Sequence, residues 1–353
     1  MGVTKADVIT SAPSVSGAAQ AVAAAYVLPL VGLPIAAALT TFVSDPAQIW
    51  HAADRFEHVA TLVRSAGTLL GDEIAAGTRE WNEKGKDAFV TSRVEPYGRA
   101  LDEAAAMYDD LGDTLKSGAV AYSTLGIASA VIGAATLAIA RTAFSNGLAG
   151  QAVGNAALAG ARERVVSLTK YVDEVNRLMA KIFSHAASQV IKNAGVRRFS
   201  AFAVNGALTG VPGAYILSGP FGSALTGDVR TVPWPKEIKD GEPVPTGYRA
   251  AQSKDLKLVH PDAIRALGKA LESTVGATLG RALDAARTNE VGLPGFGVIG
   301  IPVAHAFSAV RNGAADQLAG GVDTVGTWLP MLATAGGNWA VAEKATTDAV
   351  HGR

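Results

Sequence analysis

The sequence predicts an all-α protein built from long antiparallel helical hairpins. Small or apolar residues recur at steps of three or four along two runs, 49–74 and 94–125. This spacing places the side chains on one stripe of a helix, as in the seam of a coiled coil. Residues 81–85 between the runs are Trp-Asn-Glu-Lys-Gly, so we expect a turn there and a helical hairpin over 45–126.

The composition narrows the classes of function. The chain of 353 residues carries 31 basic and 31 acidic side chains and therefore no formal net charge. Non-specific electrostatic binding of nucleic acid needs an excess of positive charge on the protein, so we expect no nucleic-acid partner. Cysteine is absent, which excludes disulfides, thiolate metal sites and cysteine nucleophiles.

The N-terminal segment, 1–44, contains an uncharged run at 21–43 that is long enough to span a bilayer. Two interpretations of this run stay open: a kinked segment buried in the protein and a segment embedded in a membrane. Residues 1–20 are small and polar, and we expect them to be loose at the start of the segment. No basic region typical of a usual signal peptide precedes the apolar run. Three residues are expected to break or kink a helix in the run: Pro29, Gly32 and Pro34.

The middle of the chain, 117–195, is predicted to be an apolar, alanine-rich hairpin that leads into an amphipathic helix. Within 117–161 the only charged residue is Arg141, and Ser-Asn-Gly at 145–147 predicts a turn between two helical halves. A hairpin buried by close alanine and glycine packing and a hairpin that inserts into a membrane both fit this pattern. Over 162–194 charged residues return, and the apolar positions at helical spacing indicate one solvated face.

A linker rich in proline and glycine, 196–257, separates the middle from a second hairpin over 258–348. The linker cannot hold long helices, although we expect a short strand at 214–217. Within it, Trp234 is interpreted either as an anchor that packs the loop or as a docking aromatic. The second hairpin has a glycine-rich turn at 292–297 between two apolar helical stripes, and the second stripe includes Val325, Leu329 and Leu332.

Motifs typical of catalysis are weak or absent in the sequence. Residues 295–300 match G-x-G-x-x-G, but a helix is predicted before them where a dinucleotide site needs a strand, so we interpret them as a hairpin turn. His51 and His58 lie two turns apart with Asp54 between them, a pattern that fits a weak metal site or ordinary surface histidines. No nucleophile elbow or Walker sequence occurs. We therefore expect no enzyme activity, no cofactor and no metal.

Residues 46–125 resemble a WXG100-like domain of the type VII (ESX) secretion systems of actinobacteria. Such domains are two antiparallel helices with tryptophan and glycine at the turn, followed by an alanine–phenylalanine pair. The spacing here is W-x-x-x-G instead of W-x-G. The residues that match in kind form the hairpin-turn motif: Trp81, Gly85, Ala88 and Phe89.

Residues 258–348 resemble the EspC-like family of ESX secretion-associated proteins. In that family an opening V-x-P-D-x-(L/I) leads to a glycine-rich turn and to a late helix that ends in an aromatic-x-x-x-acid motif. The opening residues here are Val259, Pro261, Asp262 and Ile264. The resemblance implies that Trp339 and Glu343 form the export signal, with tryptophan where tyrosine is usual.

Together these resemblances imply a non-enzymatic substrate or secretion-associated component of a type VII system, exported as a folded hairpin protein. Such a route would explain the missing signal peptide and would place the protein outside the cell, at the cell surface or on a membrane. The implied partners are a small WXG100-type hairpin protein or a second copy, and the secretion ATPase or a chaperone. A different interpretation is a membrane-inserting or pore-forming protein that uses 21–43 and 117–161.

Overall fold

A computed structural model describes the helical parts of the chain. Every regular element in the described residues is a helix, which confirms the predicted all-α fold. The predicted linker, with its strand at 214–217 and Trp234, lies outside them. The described residues are 11–79, 81, 84–194 and 260–350.

The described part of the chain begins with two short helices, α1 Ala12–Val27 and α2 Pro29–Thr41. The next helices are α3 Pro46–Gly77, the short α4 Lys84–Phe89, α5 Glu95–Ser145 and α6 Gly147–Ala194. A π-helical turn, Val90–Val94, joins α4 to α5, and α5 is continuous into the apolar middle, as the unbroken seam predicted. The predicted turn at 145–147 is confirmed, because α5 ends and α6 begins there.

The C-terminal region forms the second predicted hairpin. Its first arm contains two helices that a π-helical turn, Glu272–Gly276, connects without a break. An irregular stretch at 288–300 leads into the second arm. The helices are α7 Pro261–Leu271, α8 Ala277–Arg287 and α9 Ile301–Val350.

The N-terminal segment is more helical than its composition predicts. Helix α1 begins at Ala12 with proline in its first turn. The expected loose start of the segment lies outside the described residues. The predicted break at Pro29 is confirmed: Leu28 leaves the helical conformation, as the residue before a proline tends to do. Pro34 lies inside α2 without ending it.

The chain divides into two compact units that are discontinuous in sequence. Unit 1 contains 11–57, 109–194 and 288–313 of the described residues. Unit 2 contains 58–108, 260–287 and 314–350. The boundaries therefore fall inside α3, α5 and α9, and the sequential domain ranges expected from the sequence stay predictions.

Both hairpins are antiparallel. In unit 2 a Cβ added to Gly67 would lie 3.9 Å from Leu101, and one added to Gly98 would lie 4.0 Å from Leu70, so residues later in α5 meet earlier residues of α3. All the seam positions predicted over 94–125 are buried. The second hairpin shows the same order, since α7 and α8 meet α9 at these pairs: Pro261 with Gly336, Gly268 with Leu329, and Gly276 with Val325.

Within unit 1, α1 and α5 cross with their backbones in contact. A Cβ added to Gly17 would overlap the main chain at Ser129, and one added to Gly133 would overlap the main chain at Gly17. Glycine at such a crossing allows close helix packing, because any side chain would hold the helices apart. The small residues of the apolar middle therefore bind it to the N-terminal segment.

Replacing Gly133 with alanine is expected to lower the free energy of unfolding by about 1–3 kcal/mol, the usual cost of overpacking. The matched control is Gly160→Ala in α6 of the same unit, where an added Cβ meets no atom within 4 Å. Because alanine favours a helix interior over glycine, the control should stabilise by about 0.5–1 kcal/mol. Urea unfolding followed by far-UV circular dichroism measures both, and equal effects would contradict the proposed crossing.

Candidate functional site

The hairpin turn brings two residues of its predicted motif together in unit 2. After α3 ends at Gly77, the backbone N–H of Trp81 donates to the carbonyl oxygen of Thr78 at 3.1 Å. The Trp81 indole is buried and stacks on Phe89 of α4, with ring centroids 6.1 Å apart and an interplanar angle of 25°. The tryptophan of the motif is therefore buried beneath the turn, where its ring packs on α4 and its backbone bonds to the chain just after α3.

The two small residues of the motif occupy α4. Gly85 lies in the first turn of this helix, and Ala88 is exposed one residue before the buried Phe89. The W-x-x-x-G spacing thus places the glycine inside a short helix after the turn. The aromatic half of the motif is packed in the core, whereas Ala88 faces solvent.

A tryptophan from the second hairpin packs against Phe89 and against Tyr97 of α5. The Trp328 indole of α9 is only 1% exposed. It makes edge-to-face contacts with Phe89 and Tyr97, with ring centroids 5.7 and 5.0 Å apart. Such edge-to-face pairs stabilise beyond the area that they bury. We refer to these four side chains as the aromatic cluster: Trp81, Phe89, Tyr97 and Trp328.

Sequence reasoning missed Trp328. It assigned the neighbouring Leu329 to the apolar stripe of α9, but the structure buries Trp328 and leaves Leu329 half-buried. Both positions satisfy steps of three or four between Val325 and Leu332. The signal that distinguishes them is size, because a tryptophan gains more than a leucine from a buried aromatic environment.

Two buried tyrosines bond α5 to α9 within unit 2. The Tyr97 hydroxyl donates to the carbonyl oxygen of Gly321 at 2.8 Å, and the Tyr108 hydroxyl donates to that of Ala314 at 3.1 Å. Burial raises the pKa of both phenols well above the usual value, because it penalises the charged form. The two hairpins are thus joined by polar bonds in an otherwise apolar seam.

The predicted export signal lies near the end of α9. Trp339 is partly exposed, and Glu343 follows one turn later on the same helix. Three residues before Trp339, α7 packs on α9: a Cβ added to Gly336 would lie 2.7 Å from the Pro261 carbonyl oxygen and 3.0 Å from Arg265. The opening of the EspC-like stretch therefore meets α9 next to the signal.

The opening motif itself forms the first turn of α7. His260 occupies the N-cap position and Pro261 begins the helix. Asp262 pairs with Arg265 at 3.0 Å on the exposed side, whereas Ile264 is buried. Val259 lies outside the described residues.

The glycine-rich stretch is a turn in unit 1, as predicted. Residues 293–300 follow helix α8, so the strand that a dinucleotide fingerprint needs is replaced by a helix. The backbone N–H of Asp45 donates to the Gly295 carbonyl oxygen at 2.7 Å, and that of Ile299 donates to the Thr41 carbonyl oxygen at 3.3 Å. Gly297 has a φ of +68°, which only glycine adopts readily. The glycines allow the turn to bind the α2–α3 connection.

A buried polar link holds the same turn to α5 and α6. The Tyr122 hydroxyl donates to Oδ1 of Asn176, and Nδ2 of Asn176 donates to the carbonyl oxygen of Ile299 at 2.7 Å. Phe296 of the turn packs between Tyr122 and Phe307, with ring centroids 6.1 and 6.0 Å away. The turn is therefore part of the core of unit 1.

In the predicted histidine pattern, His51 and Asp54 form an ion pair at the limit of contact. Nδ1 of His51 lies 4.0 Å from Oδ2 of Asp54, and both side chains are largely exposed. Across the described ranges, no group of three or more His, Cys, Asp or Glu side chains is arranged to hold a metal ion. No family model, curated protein or solved structure matches this chain.

Two helical stretches, Pro29–Gly77 and Lys86–Ser145, contain windows that are long and apolar enough to cross a membrane. Only 39% and 44% of the residues in these windows are buried inside the protein. A core helix of a soluble protein passes the same test of length and composition, so the windows are weak evidence for a membrane span.

Proposed function

We propose that this chain is a non-enzymatic protein that a type VII (ESX) secretion system exports in folded form, as a substrate or as a secretion-associated component. The observation that carries the proposal is the packing in unit 2 of a hairpin with a tryptophan turn against a second helical hairpin from the same chain. Both hairpins bear residues that resemble ESX motifs, Trp81 with Phe89 and Trp339 with Glu343.

The packing also suggests how the partners are arranged. In the resembling families a hairpin usually pairs with a partner hairpin. Here α9 contacts α5 through Trp328, Tyr97 and Tyr108, so the C-terminal hairpin takes the place of a partner on that face. A small WXG100-type protein, a second copy, a chaperone or the secretion ATPase would then bind elsewhere, and we assign the ATPase or chaperone to the Trp339 end of α9.

The position of the signal supports this assignment. Trp339 and Glu343 are four positions apart on α9, a spacing that is typical of two residues on one side of a helix. Trp339 is partly exposed, while the helix before it is fixed against α7. A receptor could therefore recognise the two residues together on a folded protein.

The double substitution Trp339→Ala with Glu343→Ala is expected to reduce export at least about tenfold, the effect of losing about 1.4 kcal/mol of recognition. The measurement is an immunoblot of culture supernatant and cell pellet from an actinobacterial host, with and without its ESX ATPase. Val341→Ala, an exposed position between the two, is the matched control and should be exported normally. Unchanged export of the double variant would refute the signal, and export without the ATPase would refute the route.

A second candidate function is membrane insertion, as a pore or an anchor. One observation favours it: large apolar side chains are exposed both on the uncharged segment 21–43 and on 117–161, where Arg141 is the only charged residue. The helices of the first segment argue against a span in this fold. At 16 and 13 residues, α1 and α2 are about 24 and 20 Å long, less than the ~30 Å hydrocarbon core. Release of a dye trapped in liposomes would favour this function over export alone.

A further inference from the structure

The corner between α1 and α2 lies against the α5–α6 hairpin in unit 1. Leu28, at the corner, is fully buried, and a Cβ added to Gly154 of α6 would lie 3.0 Å from its Cδ1 atom. The same Cβ would lie 2.8 Å from Ala143 of α5. Because Ala143 and Gly154 flank the turn at Asn146, the corner and the turn lie at the same end of unit 1.

Large apolar side chains next to these three contact residues are exposed. Tyr26 precedes Leu28 by two residues, and Leu30 follows it by two. Phe144 directly follows Ala143, and Val153 directly precedes Gly154. Their exposed fractions lie between 70% and 87%. We call these four side chains the apolar tip: Tyr26, Leu30, Phe144 and Val153.

The sequence segments that carry the apolar tip contain a positive charge but no negative charge. Residues 8–44 contain no charged side chain, and 117–161 contain only Arg141, which is exposed one turn before Phe144. The neighbouring sequence therefore offers a cation and no carboxylate. Tyr26 adds a ring with a polar end, the combination that is enriched at membrane–water interfaces.

We propose that the apolar tip docks on the surface of an anionic lipid bilayer, with its four side chains among the headgroups and acyl chains and Arg141 beside the lipid phosphates. Four apolar side chains at one end of unit 1 suit a bilayer surface better than a second copy of the chain. A stable protein interface takes about 20–30 residues a side, whereas the tip presents four large apolar side chains. The inference requires neither export nor a pore.

The test is flotation of the purified full-length chain with two kinds of vesicle: phosphatidylcholine alone, and phosphatidylcholine with phosphatidylglycerol. We expect stronger binding to the anionic vesicles. Leu30→Ser with Phe144→Ser should weaken it at least about tenfold, because buried apolar area sets interfacial affinity. The matched control is Leu293→Ser with Val298→Ser, two exposed apolar residues of the same unit outside the tip. Thermal unfolding should be similar for both variants.

Several results would overturn the proposal. Absence of binding by the unsubstituted chain, or equal binding by the tip and control variants, would exclude the tip as the docking surface. A dimer in size-exclusion chromatography that the tip substitutions dissociate would assign the patch to a second copy. Dye release that parallels binding would replace surface docking with insertion, whereas binding with the dye retained supports docking. Arg141→Gln should weaken binding only to the anionic vesicles.

Discussion

Replacing Trp328 with alanine is expected to lower the free energy of unfolding by about 3–5 kcal/mol, the range for truncating a large buried aromatic side chain. The indole is 1% exposed and contacts the rings of Phe89 and Tyr97. Its removal leaves a cavity at the centre of the aromatic cluster and loses both edge contacts. Urea denaturation followed by far-UV circular dichroism measures the change.

The neighbouring residue provides the matched control. Leu329→Ala removes a half-buried side chain from the same turn of α9 and should cost less, about 1–2 kcal/mol. Trp328→Phe keeps a ring at the position and should recover part of the loss. A larger effect at Leu329 than at Trp328 would mean that the sequence-based stripe, and not the aromatic cluster, forms the core of unit 2.

Stability is expected to fall steeply with alkaline pH above about 10, the usual pKa of tyrosine. Burial raises the pKa of Tyr97 and Tyr108 in the folded protein, so the folded state retains protons that the unfolded state loses. The stabilisation is therefore complete below pH ~10 and is lost as the pH rises toward the folded-state pKa. Each tyrosine contributes a slope of about 1.4 kcal/mol per pH unit.

The measurement is a series of urea unfolding curves between neutral and alkaline pH. The variant Tyr97→Phe with Tyr108→Phe is the comparison that isolates the two phenols. It should be less stable at neutral pH by about 1 kcal/mol for each lost hydrogen bond, and it should show a shallower alkaline decline. Identical alkaline slopes for the two proteins would show that other groups cause the loss.

Periodicity predicted much of this fold because the seam is long and regular. Every predicted seam position over 94–125 is buried, and the turn at 145–147 lies where the small polar residues placed it. A pattern that repeats over many turns averages out local exceptions. The helix–turn–helix order of 258–348 was predictable for the same reason.

The pattern did not predict where the short helix α1 begins or which side of α9 faces the core. The start of α1 at Ala12 has little local signal, because its stability comes from contact with α5 at Gly17 and Gly133. The choice of Trp328 over Leu329 depends on which way α9 faces the rings of α4 and α5. Packing between distant parts of the chain decides both, and a periodicity contains no information about it.

In the candidate site, too, the sequence predicted the local contacts but not the contacts between distant parts of the chain. The motif placed Trp81 and Phe89 near one turn, and the structure stacks them. Their contact with α9 depends on the second hairpin, about 240 residues further along the chain. The bonds from the tyrosine hydroxyls to main-chain oxygens were equally hidden, because a helix offers a carbonyl at every residue.

Those hydroxyl bonds have a consequence for the alignment of the helices. The aromatic cluster fixes one part of the contact between α5 and α9, where Trp328 meets Tyr97. Tyr97 and Tyr108 donate to the carbonyl oxygens of Gly321 and Ala314, and a shift of α9 along α5 by one turn would break both bonds. The two hydroxyls therefore act, together with the aromatic cluster, as a register mark that favours one alignment of the two helices.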